Sequence, residues 1–362
     1  MGKKLAILFL ALTLLAGLAA GYVVGGLQAY ARYVQSSLSS QQHCGGQAPV
    51  RICVSTPSEI FSAFYPSYVT TQTLLARINY SSSSPLTLAV SVNIAGFTQV
   101  QTRTVNATSA MQSIATTPPM LISALHRLTA DYNTSLHVRV SDMQGRSYYV
   151  NDSPLLLHSR WLMQWTAANR LKIAAWVTPD DPLIAELIAR ARSHLQLQPP
   201  PAPNAMIGYS KASPQQVAGQ VDAIFDALRI DYKIHYVQAS VPYNGPGDSG
   251  VATQNIKLPA EVLQQRSGMC IELTALLAAA VESIGLHSEI VIIPGHAFLG
   301  VAVTPDSQRF EYWDAVEVNS NVAGASANIS ADAIYQQNVK QGTIVDRVVI
   351  SDARRAGIDA ML

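Results

Sequence analysis

The chain has 362 residues, and 24 basic and 23 acidic residues give it a net charge of +1 at pH 7. A charge so close to zero, without any long basic run, creates no field that would attract nucleic acid, so we exclude that class of partner. The length suggests two domains with additional segments. Only 13% of the residues are charged, which predicts an uncharged polar surface compatible with an extracytoplasmic setting.

An uncharged apolar segment near the N-terminus predicts a membrane anchor. Residues 5–27 carry no charge, and at about 1.5 Å per residue a helix of this length spans the hydrocarbon core of a bilayer. Because two lysines precede the segment, we expect the N-terminus in the cytoplasm and the rest of the chain outside it. The alternative is a cleaved signal peptide, although its apolar region is usually only ~7–15 residues long. We therefore predict a single-pass membrane protein anchored within residues 1–30.

Residues 31–55 are predicted to form a stalk, because Ser, Gln and Gly are abundant in this stretch. Two of the three cysteines of the chain, Cys44 and Cys53, lie close together here. In an oxidising compartment these two would close a small disulfide loop and leave Cys270 as a free, reactive thiol.

Residues 56–158 have the pattern of an all-β sandwich. Apolar and polar residues alternate over 86–94 and again over 136–140, as in half-buried strands, and a turn at 142–145 leads into a further strand. Short strands separated by polar turns indicate an immunoglobulin-like architecture. The segment contains no cluster of catalytic residue types, so we expect a spacer or a binding module.

Residues 159–212 are predicted to be a helical, proline-rich connector. Asp181 is a good N-cap, the proline after it suits the first position of a helix, and a run of prolines ends that helix. The sequence Ser-Pro-Gln-Gln at 213–216 is a capping box that opens the next helix. It marks the start of the last predicted domain, residues 213–362.

A cysteine, a histidine and an aspartate occur in this last domain at positions suited to catalysis. Cys270 begins an apolar helical pattern and is therefore expected at a helix N-terminus, where the dipole favours a thiolate. His296 follows a Pro-Gly turn at the start of a strand, and Asp314 ends the next strand. We predict that the three act as nucleophile, base and orienting acid.

Glu317 is the alternative to Asp314 as the orienting acid. Both residues follow the same predicted strand, but the longer side chain of Glu317 would hold an imidazole less well. Asp314 is preferred also because the ring of Trp313 beside it would shield its hydrogen bond to His296 from water, and a low local dielectric strengthens such a bond.

Around these residues the chain resembles the transglutaminase-like cysteine enzyme superfamily. Arg-Ser-Gly-Met-Cys at 266–270, Gly-His-Ala at 295–297 and the aspartate at 314 carry the resemblance, which covers about residues 213–314. Papain-like enzymes use the same order of residues, but their histidine lies ~130–150 residues after the cysteine, against 296 − 270 = 26 residues here. The Cys-Ile-Glu-Leu and Pro-Gly-His-Ala-Phe segments are similar to those of bacterial envelope proteins in the superfamily. The resemblance implies an α+β domain with a papain-like Cys-His-Asp triad.

The resemblance also implies a donor for the oxyanion that forms during acyl transfer. The superfamily often uses a side chain upstream of the cysteine helix for this purpose, and Gln254 is the residue that fits. Tyr236 is a second candidate, and a surface glutamine without this role is the other interpretation of Gln254.

The predicted function is that of a membrane-anchored, extracytoplasmic cysteine acyl-transfer enzyme, either a peptidase or amidase or a transglutaminase. Its substrates would be amide bonds of proteins or peptides, with those of the cell envelope as candidates. The sequence has no dense Asp/Asn/Glu run that would bind calcium, so neither a metal nor a cofactor is predicted, and the oligomeric state stays open. The alternative is a non-catalytic binding or scaffold protein of the envelope with a vestigial transglutaminase-like domain.

Overall fold

The structure, a computed structural model, describes residues 40–70, 75–198, 205–238, 252–320 and 322–361. These residues form two compact units. The first comprises the described residues up to Ile60 together with those of Tyr68–Leu121 and Asn133–Leu157. The second comprises Phe61–Ser67, Ile122–Tyr132 and the described chain from His158 onward.

The first unit is built around two sheets. The strands are β1 (Ser40–Gly45), β2 (Val50–Pro57), β3 (Glu59–Phe61), β4 (Ala76–Ser82), β5 (Leu86–Ile94), β6 (Gln101–Ala107), β7 (Gln112–Thr116), β8 (Tyr132–Asp142) and β9 (Ser147–His158). One sheet has the strand order β1–β2–β4–β7, and the other has the order β3–β9–β8–β5–β6. Every second residue of β5 is buried, from Leu88 to Ile94, as the two-residue period of a strand with one buried face requires.

Most of the predicted stalk is part of a sheet. β1 and β2 pair antiparallel, with Cys44 opposite Cys53. Ile52 and Val54 on β2 are fully buried, so this strand belongs to the core of the unit. The polar composition was misleading because much of it comes from β1, an edge strand whose described side chains are mostly exposed. Residues 31–39 of the predicted stalk lie outside the described residues.

The second unit combines helices with three sheets. The helices of the described chain are α1 (Tyr65–Thr70), α2 (Ile122–Arg127), α3 (Pro182–His194), α4 (Pro214–Ala227), α5 (Pro259–Gln265), α6 (Cys270–Ser283), α7 (Gly324–Gln341) and α8 (Ile350–Arg355). The remaining strands are β10 (Leu162–Trp165), β11 (His235–Tyr236), β12 (Ala252–Asn255), β13 (Ser267–Gly268), β14 (Ser288–Ile293), β15 (His296–Ala302), β16 (Phe310–Trp313) and β17 (Asp346–Val349). The sheets have the orders β16–β15–β14–β17, β10–β12 and β11–β13.

The four-stranded sheet and helix α6 form the centre of the second unit. Helix α6 packs against β14 and β15, α7 packs against β16, and α4 lies against α3, α6 and α7. All six residues of β14 are buried, which explains its apolar run without alternation. The two helix starts predicted upstream are confirmed: Asp181 accepts a hydrogen bond from the N–H of Leu183, and Ser213 and Gln216 form the capping box of α4.

The boundary predicted at residue 158 is displaced, because two segments before it belong to the second unit. The ring of Phe64 packs edge-on to that of Trp176 with 6.1 Å between the centroids. The carboxylate of Asp131 accepts a hydrogen bond of 2.9 Å from the backbone N–H of Ser159. Strand periodicity alone cannot reveal a contact such as that of Phe64 with Trp176, because it joins residues that are far apart in the sequence.

The predicted fold class requires a correction. Over the described residues the chain is mixed α/β with five sheets, and the prediction of an N-terminal transmembrane helix followed by an all-β sandwich and an α+β domain is wrong. No helix among the described residues is long and apolar enough to cross a membrane. The anchor predicted within residues 1–30 lies outside the described residues. The single-pass membrane localisation therefore has no support and is withdrawn; apolar length shows only that a segment could span a bilayer.

Candidate active site

Cys270 is the first residue of α6 and is 8% exposed. Met269 before it is extended, and the carboxylate of Glu272 accepts hydrogen bonds from the backbone N–H groups of Met269 and Lys257 at 2.9 and 2.8 Å. Glu272 therefore caps the helix. The Cys270 thiol lies in the first turn, where the positive end of the helix dipole favours a thiolate.

Gly268 allows the chain to approach α6 closely at this point. A Cβ at Gly268 would lie 2.9 Å from Cδ2 of Leu273 and 3.2 Å from Cγ1 of Val262. Both neighbours are buried side chains, so a larger residue would force Leu273 and Val262 to shift within a closely packed core. Packing thus favours the glycine of the Arg-Ser-Gly-Met-Cys segment.

His296 begins β15, and a buried hydrogen bond joins this strand to the cysteine helix. Oγ1 of Thr274, one turn after Cys270, donates to the carbonyl oxygen of Ala297 at 3.1 Å. Because Ala297 follows His296 directly, this bond fixes the histidine relative to the cysteine.

Asp314 contacts the ring of His296 directly. Nε2 of His296 lies 2.8 Å from Oδ2 of Asp314, and Oδ1 of Asp314 accepts from the N–H of Val316 at 3.2 Å. Cys270 also acts on this ring, because its side chain contributes to raising the pKa of His296. Asp314 is 4% exposed, so the carboxylate acts on the ring with little competition from water.

The charges around His296 favour the imidazolium. Burial lowers its pKa, but the hydrogen bonds to Asp314 and Cys270 and the negative charges of both residues outweigh burial and raise the pKa to about 10. The imidazole of His296 is thus favoured in its protonated form at neutral pH.

Glu317, the alternative orienting acid, is engaged elsewhere. It lies in the 3₁₀ helix Ala315–Asn319 after Asp314, and its Oε2 accepts from the hydroxyl of Ser320 at 3.1 Å. Of the two carboxylates, Asp314 is the one that the structure brings to His296.

The two candidate oxyanion donors differ in their surroundings. Gln254 lies on β12, and its Oε1 accepts from the indole N–H of Trp165 on β10 at 3.0 Å. Tyr236 lies on β11, opposite Gly268. Burial, and then the charges of Cys270 and Asp314, raise the pKa of Tyr236. Tyr236 is therefore the candidate for which the structure records an interaction with the site.

Three contributors to the site were not predicted from the sequence. Phe298 brings an aromatic ring 6.1 Å from the ring of His296, a place that the sequence assigned to Trp313. Trp313 is instead fully buried and donates its indole N–H to Asp222 on α4. Strand alternation puts Phe298 on the same face as His296, so this contact had a signal in the sequence. Thr274 had a weaker signal, as the polar residue within the apolar run at 273–281, while nothing in the sequence sets Asp222 apart from the other polar residues of α4.

The remaining predicted site residues are the two early cysteines. Cys44 and Cys53 form a disulfide, and Cys270 is the free cysteine. Within the part of the chain that the structure describes, no group of three or more His, Cys, Asp or Glu side chains could hold a metal ion.

The described geometry is that of a cysteine–histidine–aspartate site on a helix and two strands. Comparison with models of known protein families and with curated proteins found no match.

Proposed function

We propose that this protein is a transglutaminase-like cysteine acyl-transfer enzyme that acts on amide bonds of proteins or peptides. The observation that carries the proposal is the hydrogen bond of 2.8 Å between His296 and Asp314, on a ring whose pKa Cys270 also raises. A nucleophile, a base and an orienting carboxylate in contact are what acyl transfer by a cysteine needs.

Each of the three residues has one task in the reaction. The thiolate of Cys270 attacks the amide carbon, and the carbonyl oxygen takes up the negative charge of the tetrahedral intermediate. The imidazolium of His296 then gives its proton to the leaving amine as the C–N bond breaks, which leaves a thioester on Cys270. Asp314 keeps the ring oriented and stabilises its positive charge.

The thioester has two possible acceptors. Water yields a carboxylic acid, as in a peptidase or amidase, and a primary amine yields a new amide, as in a transglutaminase. His296, neutral after the first step, accepts the proton of either nucleophile. Peptides of the cell envelope are the substrates that we would try first.

The alternative is a binding or scaffold protein with an inert triad, and the low exposure of Cys270 favours it. A buried cysteine is often only a small apolar residue of the core. The alternative predicts a thiol that does not react, whereas an activated thiolate reacts readily below the usual pKa of a thiol.

Alkylation and turnover by the same protein decide between the two functions. Cys270 is the free cysteine of the chain, so iodoacetamide incorporated near neutral pH without reductant reports on this thiol. Candidate peptides are then incubated with and without a primary amine, and acid and new amide are measured. Cys270→Ala should abolish both products. Turnover by that variant, or a wild-type thiol that stays unmodified, would contradict the proposal.

A further inference from the structure

The residue before Asp314 is held by a buried carboxylate that the proposed reaction does not use. The indole N–H of Trp313 donates to Oδ1 of Asp222 at 2.8 Å, and both residues are buried, Trp313 completely. Asp222 lies in the middle of α4, so this bond joins the helix to the end of β16.

The sheet by itself leaves Asp314 without a ladder partner. The register of β15 and β16 ends with Leu299 opposite Trp313, and Asp314 comes one residue later. The position of its carboxylate therefore depends on the last residue of the strand before it and on the 3₁₀ helix after it, whose Val316 N–H donates to Oδ1. Trp313 is held from two sides, by the ladder through its backbone and by Asp222 through its side chain.

Asp222 is itself closely enclosed. A Cβ on Gly324, the first residue of α7, would lie 2.6 Å from Cα and 2.7 Å from the carbonyl oxygen of Asp222. One turn along α4, Oδ1 of Asp226 accepts from the N–H of Gly324 at 3.2 Å. The start of α7 thus packs directly on the backbone of Asp222 and fixes the base of its side chain.

We infer that Asp222 is a positioning residue for Asp314: by holding the indole of Trp313 it fixes the end of β16, and with it the carboxylate that orients His296. This rests on the proposed function, in which Asp314 is the orienting acid. Asp222 acts through Trp313 and does not touch the reacting atoms.

The surroundings of Asp222 give this role a pH dependence. Burial raises the pKa of Asp222, the hydrogen bond from Trp313 lowers it, and the negative charges of Asp226 and Glu311 raise it, to a value of about 7. The other charged groups on neighbouring elements have partners of their own: Arg229 is paired with Asp226, His194 of α3 with Asp231, and Glu272 of α6 accepts from backbone N–H groups. Because a charged acceptor makes the stronger bond, Trp313 is held most firmly above about pH 7.

The test uses the full-length protein with Asp222→Asn, and Asp226→Asn as the matched control. Asp226 lies one turn away on the same helix and contacts the same end of α7, but Trp313 donates to Asp222. In ¹⁵N spectra the Trp313 indole signal, identified by its loss in Trp313→Phe, should titrate in the wild type with a midpoint of about 7. It should not titrate in Asp222→Asn, and Asp226→Asn should lower its midpoint by removing a negative charge.

The second readout is the activity of the triad, measured as kcat and KM, together with the titration of His296. Above about pH 7, Asp222→Asn should lower kcat about tenfold with KM unchanged, as expected when a charge-assisted hydrogen bond becomes neutral. Below that pH the difference from the wild type should disappear, because the carboxyl group of wild-type Asp222 is then protonated and uncharged.

The His296 titration midpoint should also fall in Asp222→Asn. Trp313→Phe should have the same effect above about pH 7, and combining the two changes should add little, because both remove one contact. Thermal unfolding shows which variants fold.

Three results would overturn the inference. The first is a Trp313 indole signal that does not titrate at any pH above 4 at which the protein stays folded. The second is an Asp222→Asn defect of equal size at every pH or equal to that of Asp226→Asn, since a purely structural role predicts this. The third is an unchanged His296 titration midpoint in Asp222→Asn, which would refute the positioning role alone. A wild-type Cys270 that fails to react would instead contradict the proposed function.

Discussion

The hydroxyl of Thr274 and the carbonyl of Ala297 form a buried hydrogen bond of 3.1 Å between the cysteine helix and the histidine strand. The bond begins one turn after Cys270 and ends one residue after His296. It therefore links the helix of the nucleophile to the strand of the base close to both residues.

Thr274→Val should loosen this link while keeping the shape of the side chain. We expect a loss of about 1 kcal/mol in the free energy of unfolding, the usual contribution of one hydrogen bond, and a fall in kcat at unchanged KM. Thr274→Ser keeps the hydroxyl and is the control. Denaturant unfolding and amide turnover measure the two effects. If Thr274→Ser is impaired and Thr274→Val is not, the methyl group rather than the hydroxyl is what matters at this position.

Asp314→Asn should reduce kcat strongly, because the amide neither carries the charge that stabilises the imidazolium nor enforces its orientation. The corresponding change in a serine protease costs ~10⁴-fold in kcat, and we expect a smaller loss here since the thiolate itself stabilises the imidazolium. Glu317→Gln should change kcat little, because Glu317 bonds to Ser320. A large effect of Glu317→Gln with a small effect of Asp314→Asn would reverse the assignment.

The titration of His296 should show how strongly its two neighbours favour the charged ring. Its pKa is raised from 6.5 to about 10, so the ring should stay protonated through neutral pH and lose its proton near pH 10. The charged ring therefore contributes stability that is complete below about pH 6.5 and is lost as the pH rises through about 10. Ring NMR signals give the midpoint, which should fall towards 6.5 in Asp314→Asn. A wild-type midpoint near 6.5 would mean that Asp314 and Cys270 do not act on the ring.

Tyr236→Phe and Gln254→Met compare the two candidate oxyanion donors. Removing one donor from an oxyanion hole costs about 10²–10³-fold in kcat. We expect the larger loss for Tyr236→Phe, because the charges of Cys270 and Asp314 act on Tyr236 and raise its pKa. Single-turnover acylation rates separate this effect from substrate binding. If only Gln254→Met is impaired, the donor is the glutamine that the resemblance indicated.

The Cys44–Cys53 bond should stabilise the first unit and leave the site unaffected. The two cysteines are nine residues apart, and closing so short a loop contributes about 2–3 kcal/mol. A double Cys→Ser variant should unfold at lower denaturant concentration, while its Cys270 alkylation rate stays that of the wild type. Mass spectrometry without reduction checks the bond directly, and two free thiols in the native protein would contradict it.

The elements that carry the candidate site could be predicted from local sequence alone. A capping carboxylate and an apolar helical run place Cys270 at the start of α6, the Pro-Gly turn places His296 at the start of β15, and β16 ends just before Asp314. These signals lie within a few residues of the position that they determine. Their catalytic roles stay a proposal.

Composition was a weaker guide than periodicity. The Ser- and Gln-rich stretch around Cys44 resembles a stalk but forms an edge strand, since an edge strand exposes most of its side chains just as a stalk does. The boundary near residue 158 failed for another reason, because the packing of Phe64 against Trp176 joins distant parts of the chain.

By itself, the sequence determined where helices and strands begin and which residue types stand at those points, because caps, turns and periodicity act over a few residues. Only the tertiary structure decided that Asp314 rather than Glu317 meets His296, that Phe298 rather than Trp313 lies beside the imidazole, and that Trp313 turns to Asp222. Those choices depend on packing between elements up to 91 residues apart. The space and the hydrogen-bond partners available to a buried side chain come from the whole fold, so no local pattern records them.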